Sequence, residues 1–114
     1  MGKESEKAVM RLYLNESDRT GHRSLQEAVT ELLRHEGAAG VSVFRGIAGF
    51  GVHRTYHTDR LLDLSSDLPL IIEVIDDEER INHLLPLLET LMSGGMITIG
   101  KVTARFPGKP TDAQ

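Results

Sequence analysis

The spacing of apolar residues switches along this chain between a period of two and a period near 3.6, and the switches fall at residues that cap or break an element. From Ala8 to Asn15 the pattern alternates, with Met10, Leu12 and Leu14 on one side and Arg11 and Tyr13 on the other, as in a half-buried strand. Leu25, Ala28, Val29, Leu32 and Leu33 then share one helical stripe. Ser24 stands before that stripe with Glu27 at the capping-box position, and Gly37 is placed to stop it. Val41–Arg45 is short and rich in β-formers. Leu70–Ile75 is nearly continuously apolar, which predicts a central strand covered on both faces. Asp76 and Glu79 repeat the capping-box pattern ahead of a second stripe of Ile81, Leu84, Leu85, Leu88, Leu91 and Met92. Pro86 lies inside that stripe and Gly94-Gly95 end it. The last strand spans Met96–Phe106. Its apolar parity changes from odd (Ile97, Ile99) to even (Val102, Ala104, Phe106), and a β-bulge at Gly100 is expected from the change.

The order is βαββαβ, an α+β ferredoxin-like sandwich with a four-stranded antiparallel sheet and two helices on one face. The other face would present Tyr13, Phe44, Ile71 and Ile75. A chain of 114 residues is one domain and has nothing of its own to lay over them, so a homo-oligomer is expected. The domain is placed at residues 8–106. Residues 1–7 read as a disordered polar tail without the apolar stretch of a signal peptide, and residues 107–114 as a loose C-terminal tail. Charge and composition exclude several classes. A net charge of −4 and 4% aromatic residues without Trp argue against a nucleic-acid binder. The longest apolar run, Leu68–Ile72, is far short of the ~20 residues of a membrane span. The absence of Cys removes disulfides, thiolate metal sites and cysteine nucleophiles, and a reducing cytoplasm is the simplest compartment for such a chain.

One segment departs from a plain domain of this kind. About two dozen residues, Gly46–Pro69, separate the second and third strands, and segments of that length in compact domains tend to be functional or disordered. It opens Gly46-Ile47-Ala48-Gly49-Phe50-Gly51. Closely spaced glycines let a backbone approach a ligand and offer its N–H groups to an anion; equally, they permit the turns of a hairpin extension. Leu61, Leu62, Leu64 and Leu68 argue that its second half packs. His53 and His57 stand four apart near Asp59, but in a glycine-rich loop and without the glutamate of a metalloprotease helix, so no metal site is assigned. Gly95-Met96-Ile97-Thr98-Ile99-Gly100-Lys101 has the bare spacing of a phosphate-binding P-loop, yet Val102 follows where Ser or Thr is needed and the segment feeds a strand, not a helix. Glu16 and Asp18 could form an acid–base pair, but no activated nucleophile or oxyanion site accompanies them. The chain is therefore read as a binding protein and not an enzyme.

Taken in order, Tyr13-Leu14-Asn15-Glu16-Ser17-Asp18, Leu25-Gln26-Glu27-Ala28, Arg45-Gly46-Ile47-Ala48-Gly49-Phe50-Gly51, His57-Thr58, Leu64-Ser65-Ser66-Asp67-Leu68-Pro69, Ile72-Glu73-Val74-Ile75-Asp76 and Gly95-Met96-Ile97-Thr98 resemble the PII-like proteins of domain-of-unknown-function family 190, over roughly Val9 to Val102. The resemblance implies a ferredoxin-like protomer in a compact homotrimer, with adenine nucleotides bound in clefts between subunits and a ligand-responsive loop after the second strand. Carried onto this sequence, Gly46, Gly49 and Gly51 would form the loop base near the phosphates and Gly95 and Thr98 the second wall, with Phe50 and His57 as matched ligand-binding positions to which no separate role is assigned. Arg45 would supply the cation, its planar fork being suited to phosphate. No cofactor is required; AMP, ADP or ATP would be a regulatory ligand. Two functions are carried forward. One is a trimeric PII-like signalling protein sensing a small anionic ligand, an adenine nucleotide first. The other is a ligand-independent module docking on the cytoplasmic face of a membrane transporter such as a fluoride exporter, near whose genes the family is often encoded.

Overall fold

A computed structural model describes residues 3–49, 57–58 and 67–108. The elements run β1 (Lys3–Asn15), β2 (Arg19–Thr20), β3 (Arg23–Ser24), α1 (Leu25–His35), β4 (Gly40–Arg45), β5 (Ala48–Gly49), β6 (His57–Thr58), β7 (Pro69–Asp76), α2 (Glu78–Leu91) and β8 (Met96–Phe106). β4, β7, β1 and β8 form one four-stranded sheet in that order, every neighbouring pair antiparallel. This is the expected βαββαβ sandwich.

The two stripes predicted for the helices are the faces they bury. Leu25, Val29 and Leu33 of α1 and Ile81, Leu84 and Leu88 of α2 meet Met10, Leu12, Leu14, Leu70, Ile72 and Val74 of the sheet in one core. Removing each of these larger side chains from water contributes about 1.5–3 kcal/mol. Ser24 caps α1, its Oγ accepting the Glu27 amide at 3.3 Å. The cap of α2 differs from the expected one. Asp77 is its N-cap residue, while Asp76, the last residue of β7, is buried and accepts the amides of Ala39 at 2.9 Å and Asp77 at 2.7 Å. One carboxylate thus joins the end of β7, the approach to β4 and the start of α2. α2 runs through Pro86 as a single helix with that residue exposed. Among the described residues, no helix is long and apolar enough to cross a membrane.

Three further expectations are corrected. Residues 3–7 are not a tail: they extend β1 and pair with β8, from Lys3 opposite Phe106 to Lys7 opposite Val102. Nor is there a bulge at Gly100, which sits opposite Val9 in a register that stays constant from Tyr13–Met96 to Lys3–Phe106. The parity change has another cause. Ile97 and Ile99 lie on the helix side of β8, whereas Val102, Ala104 and Phe106 lie on the opposite side, so the strand changes which face is apolar without changing its phase. Finally, β7 is central but covered on one face only. Leu70, Ile72, Val74 and Asp76 are buried, while Pro69, Ile71 and Glu73 are half-buried and Ile75 is exposed.

That second face of the sheet has an ordered pattern. One row across it is Phe44, Ile71, Tyr13 and Met96; the next is Ser42, Glu73, Arg11 and Thr98; the next is Gly40, Ile75, Val9 and Gly100. Arg11 Nε donates to Glu73 Oε2 at 2.8 Å, and this bond holds the guanidinium pKa above its ordinary value. A polar row therefore crosses an apolar face on which Phe44 and Met96 each keep about half of their surface exposed (both 51%).

Candidate functional site

The glycine-rich segment leaves and re-enters the sheet through a tied base. The Gly46 amide donates to Pro69 O at 2.7 Å, and a Cβ at Gly46 would stand 2.7 Å from Pro69 Cγ. Glycine is needed there because the two ends of the segment touch. The turn after β1 closes the base: Glu16 N donates to Leu68 O at 2.9 Å and Ser17 N to Asp67 Oδ1 at 2.8 Å. Leu68 is fully buried, in keeping with its expected packing; Leu61, Leu62 and Leu64 lie outside the described residues. Past the base, Ala48 and Gly49 pair with Thr58 and His57 as a short antiparallel ladder, which is the hairpin arrangement. Phe50, Gly51 and His53 lie outside the described residues, and His57 is placed only by that backbone pairing.

The same turn engages the acidic residues and the expected cation. Arg45 Nε donates to Glu16 Oε2 at 2.6 Å, and Asp18 Oδ2 accepts the Asn15 amide at 2.9 Å. Glu16 and Asp18 thus have structural partners. Arg45, carried over as the phosphate contact, already holds a carboxylate across the base of the segment. Among the described residues, no group of three His, Cys, Asp or Glu is arranged to hold a metal ion.

The second wall is the turn from α2 into β8. Gly95 has φ +86°, and a Cβ on it would lie 2.5 Å from Tyr13 O; both the conformation and the contact demand glycine. Gly94 and Gly95 line a cleft of about 550 Å³ together with Tyr13 and Asn15 of β1, Asp18 and Arg19 just after it, and Leu25, Leu70 and Met96 from neighbouring elements. Thr98 is exposed two residues further on, opposite Arg11 on the open face of the sheet. The bare P-loop spacing of residues 95–101 falls on β8 itself, so no phosphate-cradling loop of that type is formed.

The predicted site residues divide into two groups that one chain keeps apart. Arg45 is opposite Leu70, Leu70 is opposite Leu14, and Gly95 adjoins the Tyr13–Met96 pair. They occupy one end of the sheet but its two opposite edges, β4 and β8, about 14 Å apart at ~4.8 Å per strand. Sequence reasoning missed Asn15, Arg19 and Ser93 as cleft residues. The available signal was Arg19-Thr20-Gly21-His22-Arg23, a cationic turn between a strand and a capped helix; the structure makes it the β2–β3 hairpin, with Gly21 at φ +63°.

The chain is 37% identical over 92 residues to a UPF0166 protein of Methanocaldococcus jannaschii, covering 80% of this chain and 84% of that protein. It is 30% identical over 96 residues to a UPF0166 protein of Aquifex aeolicus, covering 84% and 90%. Its fold is similar to that of CPII, a nitrogen regulatory PII-like protein of Thiomonas intermedia K12 solved with ADP, AMP and bicarbonate. The TM-score is 0.65 at 20% identity, over 96% of this chain and 94% of that one. The apo form of CPII matches with a TM-score of 0.56 at 17% identity, over 94% and 100%. A family profile described as Uncharacterized ACR, COG1993 spans residues 7–104, nearly the whole of the folded body, and the chain belongs to that family, DUF190.

Proposed function

We propose that this chain is a PII-like regulatory protein that assembles as a homotrimer through the open face of its sheet and binds a small anionic ligand, an adenine nucleotide first, in clefts between copies. The observation that carries this reading is the separation of the two candidate walls. Arg45 and Gly46 stand on the β4 edge and Gly95 and Thr98 on the β8 edge, so a site using both walls needs one edge from each of two copies. The exposed Phe44, Ile75 and Met96 on the same open face supply the apolar area that such an assembly would remove from water. A similar fold in CPII holds ADP, AMP and bicarbonate, which makes these ligands the first to try. The activity proposed is binding without turnover, in the cytoplasm. A ligand would act by favouring one arrangement of the segment after β4, to the extent that its affinity differs between arrangements.

The test is titration calorimetry of the purified protein with AMP, ADP, ATP and bicarbonate, with sedimentation velocity on the same samples. A trimer that binds an adenine nucleotide is the expected result. A monomer at micromolar concentration, or a trimer that gives no heat with any of the four, refutes the corresponding half of the reading.

A further inference from the structure

The cleft beside the Gly94-Gly95 turn has an apolar floor and a polar rim. Leu14, Leu25 and Leu70 line it from the core side, and all three are buried. Along the rim, none of the Ser93, Gly94 and Gly95 amides donates to a backbone carbonyl among the described residues. Unpaired amides in a glycine turn are suited to an anion. Arg19 also lines the cleft and is the one Lys or Arg among its lining residues. Its Nη2 donates to His22 O at 2.6 Å, which fixes the guanidinium within the β2–β3 hairpin and leaves the other N–H groups of a five-donor fork to point elsewhere. None of the ion pairs among the described residues involves Arg19, whereas Arg45 holds Glu16 and Arg23 holds Glu31.

We propose that Arg19 is the cationic contact of this cleft, gripping a phosphate-bearing ligand seated against the Ser93–Gly95 turn. The inference rests on the anionic-ligand reading above and moves the phosphate contact from Arg45 to the β2–β3 hairpin. Asp18 shares the cleft with one oxygen on the Asn15 amide. It sets a second requirement, a ligand that offers a hydrogen-bond donor near its phosphate, as a ribose hydroxyl does. The apolar floor accommodates a planar base.

The experiment titrates the intact protein with ADP, adenosine and pyrophosphate, and repeats the series with Arg19→Gln, Arg19→Lys and Arg23→Gln. Loss of a charge-assisted contact should weaken ADP about tenfold or more in Arg19→Gln, with adenosine unchanged, partial recovery in Arg19→Lys, and wild-type affinity in Arg23→Gln. Because Arg19 is exposed, circular dichroism should show these variants folded. Wild-type ADP affinity in Arg19→Gln overturns the assignment and leaves the nucleotide reading standing. Arg19-dependent binding of pyrophosphate with none of ADP supports the assignment and overturns the nucleotide. Absence of binding to all three probes overturns both.

Discussion

Gly95 and Gly94 are adjacent, yet they carry different constraints. Gly95 is left-handed and its missing Cβ makes room for Tyr13 O, while a Cβ on Gly94 would meet nothing within 4 Å. Gly95→Ala should therefore lower stability by about 2 kcal/mol or more, whereas Gly94→Ala should stay within about 0.5 kcal/mol. Thermal melts of the two variants beside wild type check this, and equal melting temperatures would remove the structural argument for the turn. Arg45 stood out in the sequence for its planar fork, and the structure adds a partner that the sequence does not show. Its fork is suited to phosphate, but only the fold brings Glu16 within 2.6 Å of it.

Between elements, the informative joint is Asp76. Its two oxygens accept one amide from the segment leading to β4 and one from the start of α2, and only 6% of the residue is exposed. Asp76→Ala would remove the shared acceptor of two part-buried amides, and losing both hydrogen bonds should cost about 1–3 kcal/mol. Denaturant titration should show the loss as a lower midpoint at an unchanged slope. The capping pattern in the sequence located this joint but assigned the wrong role, since the acidic residue that looked like a helix cap ends a strand. β8 teaches a related lesson. Its change of apolar parity invites a bulge, but the ladder keeps register through Gly100 and the apolar side chains simply pass to the other face.

At the scale of the whole molecule, the open sheet face is the surface through which the proposed assembly would form. Ile75 is 37% exposed in the single chain, beside Val9 on β1 and Gly40 on β4. An aspartate there is tolerated by the protomer but is costly to bury against another copy. Ile75→Asp should keep the circular dichroism of the wild type and sediment as a smaller species; an unchanged assembly would place the contact between copies elsewhere. The row of Ser42, Glu73, Arg11 and Thr98 bears on the same face. A hydrogen-bonded ion pair amid apolar rows restricts the ways two copies can stack, because its remaining donors and acceptors need partners once water is removed.

The sequence by itself settled the local geometry: which residues share a strand face or a helix stripe, where α1 is capped and stopped, and that the last strand runs from Met96 to Phe106. Those features follow from backbone period and from steric limits at single residues, which act over a few positions and are legible without a partner. The tertiary structure decided what depends on residues far apart in the chain. It paired the polar residues 3–7 with β8, tied Arg45 to Glu16, closed the glycine-rich segment on Pro69 and brought the Arg19 hairpin to a cleft that Gly95 also lines. In the first three cases the deciding quantity is whether a distant hydrogen-bonding or charged group arrives within about 3 Å, and nothing in the local pattern of side chains encodes that arrival.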